Sequence, residues 1–182
     1  MGMIDRLVRA IRLDPTLYRE VADDDQYTNE GVMIVLVVAV LSAIGAAIGA
    51  AMGDGRPVVA FIVQVANTLI FGWLLWAVVA YFVGTALGGK SSIMEMARTL
   101  AYANAPGLLG LLSFISCIGW LLMLAAFVLT IAAGVIAIRE SMEFDTTNAV
   151  VTAVLGFGVY IVARLIIGLF LGGLGALGSI FG

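Results

Sequence analysis

Five long apolar runs dominate this chain, at roughly 32–52, 58–87, 94–116, 118–138 and 148–172. A helix crossing the ~30 Å hydrocarbon core of a bilayer needs about 20 predominantly apolar residues, and each run is long enough. The stretches between them are too short to fold by themselves, so no soluble active-site domain is left over. Composition agrees: 63% of residues are hydrophobic and 12% charged, against about 45–50% and ~25% in soluble domains. The expected fold is an all-α integral membrane protein of five transmembrane helices. Residues 1–30 form a cytoplasmic segment with an amphipathic surface helix, and residues 31–182 form the membrane domain.

Several chemistries lack their raw material. There is no histidine, and Cys117 is the only cysteine, set inside an apolar run. An internal disulfide is therefore impossible, and no thiolate or imidazole cluster is present to hold a metal or cofactor. The aspartates 23–25 read as a solvated cap, because a cation site needs further ligands at fixed spacing. Signatures of membrane or nucleotide catalysis (HExxH, GxSxG, a serine–lysine pair, a P-loop) are also missing, and the expectation is a protein that is not an enzyme. No secretory signal is evident, since the first apolar run is too long for an h-region and lacks a cleavage site.

Orientation follows from the cations. With the N-terminus in the cytoplasm, that side receives Arg6, Arg9, Arg12, Arg19, Lys90, Arg98 and Arg139, and the opposite side receives only Arg56. Positive charge in short loops stays cytoplasmic, so the expected topology is N-in and C-out. The preference for arginine over lysine points to a GC-rich prokaryotic genome, hence to an inner membrane.

Residues 3–13, MIDRLVRAIRL, place Met3, Ile4, Leu7, Val8 and Ile11 on one helical face and Arg6, Arg9 and Arg12 on another. Such a helix suits the headgroup boundary of an anionic leaflet, or packing on the protein's own cytoplasmic surface. Asp14-Pro15 then supplies an N-cap and a first-turn proline for a second short helix through Val21. Further on, GGKSS marks a glycine stop followed by a serine cap at Ser92. Asp145 or Thr146 caps the last span, and Pro106 is expected to kink the third.

Two features inside the spans carry the functional expectations. Gly45, Gly49 and Gly53 recur every fourth residue among alanines, a small-xxx-small face that lets another helix approach closely; Gly84–Gly88 and Gly168–Gly172 repeat it more weakly. It serves packing within the chain or docking of a partner subunit. The second feature is polar: Gln64, Asn67, Asn104, Thr130 and Arg164 fall in roughly one layer near mid-membrane. A centred arginine costs at least ~2.5 kcal/mol on insertion scales and normally finds a partner, water or phosphate. Helical side chains lean toward the N-terminus, so Arg164 should turn into the bundle and bond Asn104, Asn67, Gln64 or carbonyls freed near Pro106, with Tyr102 and Tyr160 extending the network.

LDPTLYREVADD, then GGKSSIMEMARTLAYANAPGLLGLL, and AIRESMEFDTTNAV before the last span resemble the Yip family, most of all through Tyr102 and Pro106 in the turn leading to AYANAPGLL. The resemblance implies a five-span protein with a cytoplasmic N-terminus. In the eukaryotic branch it implies vesicle-traffic roles through prenylated Rab-type GTPases. The long N-terminal region and acidic DLYGP-like motif of that branch are missing, so GTPase binding is not carried over, and the prokaryotic branch is the better match. The expected function is a non-enzymatic membrane scaffold or accessory subunit that binds partner membrane proteins and lipid, with no nucleic acid involved. The alternative is a small transporter or channel with a polar site around Arg164.

Overall fold

The computed structural model describes the backbone of residues 2–53, 55–114 and 119–181, and the side chains of these except at 110–114, 119 and 170–181. Cys117 and the C-terminal partner of the Gly168–Gly172 pair thus lie outside the described side chains. Two short helices, α1 (Met3–Ile11) and α2 (Pro15–Asp23), precede the first long one, α3 (Thr28–Met52). The second apolar run is one continuous rod: α4 (Pro57–Ala66), a π-helical stretch (Asn67–Leu75) and α5 (Trp76–Ala86). Then come α6 (Ile93–Ala103), a 3-10 stretch (Ala105–Phe114), α7 (Gly119–Ser141) and α8 (Thr146–Phe181). The protein is an all-α membrane protein.

Among the described residues, four segments meet the length and hydropathy of a membrane span: Asp25–Met52, Pro57–Ala86, Trp120–Ser141 and Thr146–Leu169. The third apolar run differs from expectation. Pro106 does not kink a continuous α-helix there. It follows the end of α6 and lies in the 3-10 stretch, because a residue before proline is pushed out of the α region and the helix stops ahead of it. At the join, Asn104 donates its side-chain amide to the Leu100 carbonyl (2.8 Å) and accepts from the Gly107 N–H (2.9 Å).

Helix starts follow local chemistry. Asp14 accepts from the Thr16 N–H ahead of Pro15, Ser92 accepts from the Glu95 N–H, and Asp145 accepts from the Asn148 N–H. Past the end of α5, Gly88 takes φ +91°, a left-handed conformation that glycine enters without a Cβ penalty.

Helix α6 is the hub. Every residue from Met96 to Ala103 is buried, enclosed by α2, α3, α5 and α7. Gly31 lets α3 cross it closely, since a Cβ there would stand 3.1 Å from Ala101 Cβ. The α5–α6 connection packs on the end of α7: a Cβ at Gly84 or Gly89 would lie 2.7 Å from the Met142 side chain. The Lys90 N–H bonds the Met142 carbonyl, and the Ser91 and Ser141 hydroxyls meet at 2.7 Å. Ala10, Leu17, Tyr18 and Val21 of the N-terminal helices share one core with Met96, Leu100 and Ile138. The outer faces of the spans remain apolar and exposed, as lipid solvation requires.

Two arginines bind the N-terminal helices to this bundle through helix carboxyl ends. Arg98 of α6 is only 4% exposed. It donates from Nε to the Val21 carbonyl and from Nη2 to the Ala22 carbonyl, both at 2.6 Å, and from Nη1 to Asp25 and Thr28. Those carbonyls are among the acceptors that the end of any helix leaves without an intrahelical partner, and a cation there also matches the helix dipole. Arg19 of α2 returns the favour, donating to the Glu140 carbonyl at the end of α7 (3.0 Å) and to the Glu143 carboxylate (2.9 Å).

Arg98→Met removes a buried charge and leaves two buried carbonyls bare, which should cost ~3–5 kcal/mol and lower Tm in detergent by on the order of 10 °C. Arg98→Lys should recover only part of this, since one ammonium cannot reproduce the planar fork. Asp25→Asn, at a side chain 96% exposed, should leave Tm nearly unchanged.

Candidate functional site

The mid-membrane polar groups do not all converge. Arg164 does reach Asn67: Nη2 donates to Asn67 Oδ1 at 3.0 Å, Nη1 donates to the Tyr160 hydroxyl at 2.8 Å, and the guanidinium stands 5.8 Å from the centre of the Phe71 ring. Arg164 is exposed at the bundle surface rather than enclosed. Gln64 bonds Thr68 (3.3 Å), Asn104 bonds the Leu100 carbonyl, and Thr130 bonds the Ala126 carbonyl (2.8 Å). Of the partners expected for Arg164, Asn67 is the one it bonds, while Gln64 and Asn104 bond elsewhere. Asn104 and Thr130 bond the carbonyl one turn back and Gln64 the Thr68 hydroxyl one turn ahead, and in lipid such local partners suffice. Tyr160 joins the network as expected, whereas Tyr102 sits at the other end of the molecule, edge-on to Tyr27 at 6.5 Å.

Beside Arg164 lies a cleft of about 580 Å³ between α6, α7, α8 and the π-helical stretch. Its walls include Trp76, Phe127, Phe157 and Tyr160, with Asn104 and Thr130 among its few polar groups. Trp76 stands edge-on to Tyr160 (5.8 Å) and Phe157 (6.3 Å), and the latter two stack on each other. Two glycines keep it open: Gly72 lines it, and a Cβ at Gly134 would meet no atom within 4 Å. The π stretch turns Asn67 and Phe71 toward Arg164, while its Trp73 donates Nε1–H to the Ala97 carbonyl (2.8 Å). Such insertions recur at functional sites. Sequence reasoning found Arg164 by its charge, but the ring wall from Trp76 and Phe157 had no signal apart from ordinary span composition.

The glycine face of α3 is open. A Cβ at Gly45 or Gly49 would meet nothing within 4 Å, and at Gly53 only the Gly49 carbonyl of its own helix. Among the described residues, packing within the chain does not use Gly45 or Gly49. Neighbouring Ile44 and Ile48 are likewise exposed.

The basic face of α1 is turned to the protein's own acids. Arg6 pairs with Glu30 and stands 5.2 Å from the centre of the Tyr27 ring. Arg9 pairs with Asp14 (2.8 Å) and Glu20 (3.0 Å) and donates to Thr16. Only Arg12 of the three is exposed, while Ala10 is buried and Ile4 projects outward. Helix α1 is thus packed on the protein surface, the second of the two placements its pattern allows. The three aspartates go to separate tasks: Asp23 to Arg19, Asp24 to the Gln26 N–H, and Asp25 to Arg98. Sequence reasoning counted Arg19 and Arg98 as topology markers only and missed their role as clasps.

A buried hub helix clasped to α2, surrounded by long apolar spans with Arg164 exposed on their surface, defines a polytopic helical membrane protein. The Yip1 domain model matches residues 14–168, and the chain belongs to that family. The match takes in α2, the Arg98 clasp and Arg164 but leaves α1 outside. No curated protein and no solved structure matches the chain significantly.

The Arg9 guanidinium, aided by Thr16, holds the Asp14 carboxyl down at about 2, below its ordinary 3.8. A carboxyl depressed on folding stabilises the fold above its unfolded pKa and loses that contribution as pH falls through the folded value. Amide-exchange protection in α1 should therefore decline between about pH 4 and 2. With Arg9→Gln the decline should move to higher pH.

Proposed function

We propose that this Yip1-family protein is a non-enzymatic accessory or scaffold subunit of a prokaryotic inner membrane, packing against a partner membrane protein through the Gly45–Gly49 face of α3. The observation that carries the reading is that, among the described residues, a Cβ at Gly45 or Gly49 meets no atom within 4 Å, although small residues at every fourth position are what close helix approach in lipid uses. With no hydrophobic drive between helices in a bilayer, a groove of glycine and alanine gains from contact with a second backbone. The transporter alternative draws on Arg164, Asn67 and Tyr160, but the adjoining cleft is overwhelmingly apolar and Gln64, Asn104 and Thr130 are satisfied inside their own helices. That favours the scaffold.

The end bearing α1, α2, the 88–92 connection and the 142–145 connection is assigned to the cytoplasm. Contacts between Arg19 and Glu143 and between Lys90 and Met142 gather these segments, and with them all the cations that the positive-inside rule counts except Arg56 and the intramembrane Arg164.

A Cβ at Gly49 meets no described atom within 4 Å, so Gly49→Leu should fold with unchanged Tm yet lose the membrane protein that co-purifies with the wild type by about tenfold, since a bulky side chain blocks close helix approach. An undiminished complex, quantified by mass spectrometry from native membranes, would sink the scaffold reading. For topology, Arg56→Cys in a Cys117→Ser background should react with a membrane-impermeant maleimide in intact cells, and Arg12→Cys only after lysis.

A further inference from the structure

The geometry points to a binding site for a single-chain long-chain carboxylate, its chain in the cleft between α6, α7, α8 and the π-helical stretch and its carboxylate on Arg164. This inference does not depend on the partner assigned to α3.

The cleft falls in the ~300–1,000 Å³ range of small-molecule sites, which are mostly apolar with a few placed polar groups. The volume here is about 580 Å³ with Trp76, Phe127 and Phe157 in the wall. Tyr160 belongs to that wall and also accepts the hydrogen bond from Arg164, so the cation stands at the cleft's edge. Arg164 borders a second hollow of about 360 Å³, whose other lining residues are apolar. A head group thus has room beside the guanidinium.

The electrostatics choose an anion. A guanidinium carries five N–H donors, and in Arg164 two nitrogens are engaged, each by a neutral oxygen. Among the described residues no carboxylate forms an ion pair with it, whereas Arg6, Arg9, Arg19, Arg98 and Arg139 each have one. An arginine at membrane depth without a counter-charge is costly, and an oxyanion from the lipid phase removes that cost. One planar cation matches one carboxylate in a bidentate pair, and one apolar cleft takes one chain. An anionic phospholipid brings a phosphate and two chains and fits both features less well.

The test uses the full chain in phosphatidylcholine nanodiscs with a diazirine-bearing C16 fatty acid, its methyl ester and a diazirine-bearing phosphatidylglycerol. The acid should crosslink saturably to cleft residues of α7 and α8, the ester should label them at least about tenfold less, and Arg164→Gln should bring the acid down to the ester's level, since the pair it removes is charge-assisted. Gly134→Phe, which adds bulk where no atom lies within 4 Å, should block labelling while preserving Tm. If Arg164→Gln does not fold, the ester comparison and Gly134→Phe decide. Equal labelling by ester and acid, labelling indifferent to Gly134→Phe, or displacement of the acid by sub-stoichiometric phosphatidylglycerol would each overturn the assignment.

Discussion

The guanidinium of Arg98 spans from the hub helix α6 to the carboxyl end of α2, and the rest of the architecture at that end of the bundle hangs on that bond. Two carbonyls at a helix end, a carboxylate and a hydroxyl all converge on one buried cation. The helix end alone would leave its acceptors bare, and the arginine alone would be an unpaired charge in an apolar core; each satisfies what the other would otherwise cost. Once α2 is seated, Arg19 can reach the end of α7, Leu17 and Tyr18 enter the core, and α1 follows through the Tyr18 hydroxyl bonded to the Ala10 carbonyl. The surface helices are therefore part of the bundle's structure.

At the other level of the membrane the same accounting has a different outcome. Amides and hydroxyls on the spans find carbonyls on their own helices, so Asn104 and Thr130 need no neighbour. Arg164 cannot do this, because a cation requires either water or a counter-charge. It reaches across to the π-helical stretch and accepts two neutral partners, leaving its charge unmatched beside an apolar cleft. The contrast between Arg98, fully matched, and Arg164, half matched, separates structural arginine from candidate binding arginine in this chain.

Much of the helical punctuation was legible beforehand. Asp14-Pro15, Ser92, Gly88 and Asp145 act through bonds within a few residues of themselves, so local sequence suffices. Arg164 meeting Asn67 was also legible, from depth and side-chain direction. The change of helix type at Pro106, the failure of Gln64 and Asn104 to join Arg164, and the turning of Arg6 and Arg9 inward were not. Each depends on which of several nearby acceptors wins, and that is a matter of tenths of an ångström in three dimensions.

By itself, then, the chain's composition and periodicity determined that it is a helical membrane protein and where several of its helices begin, because hydrocarbon solvent and unpaired backbone groups penalise an open, unpaired backbone. Only the tertiary structure decided which glycines pack and which lie open, and which arginine is clasped and which is offered. Among the described residues, Gly31 is covered by α6 and Gly84 and Gly89 by Met142 beyond the end of α7, while Gly45 and Gly49 meet no neighbour within 4 Å, although all five are the same residue. Close approach is a relation between two helices, and no single helix sequence states where its neighbour will lie.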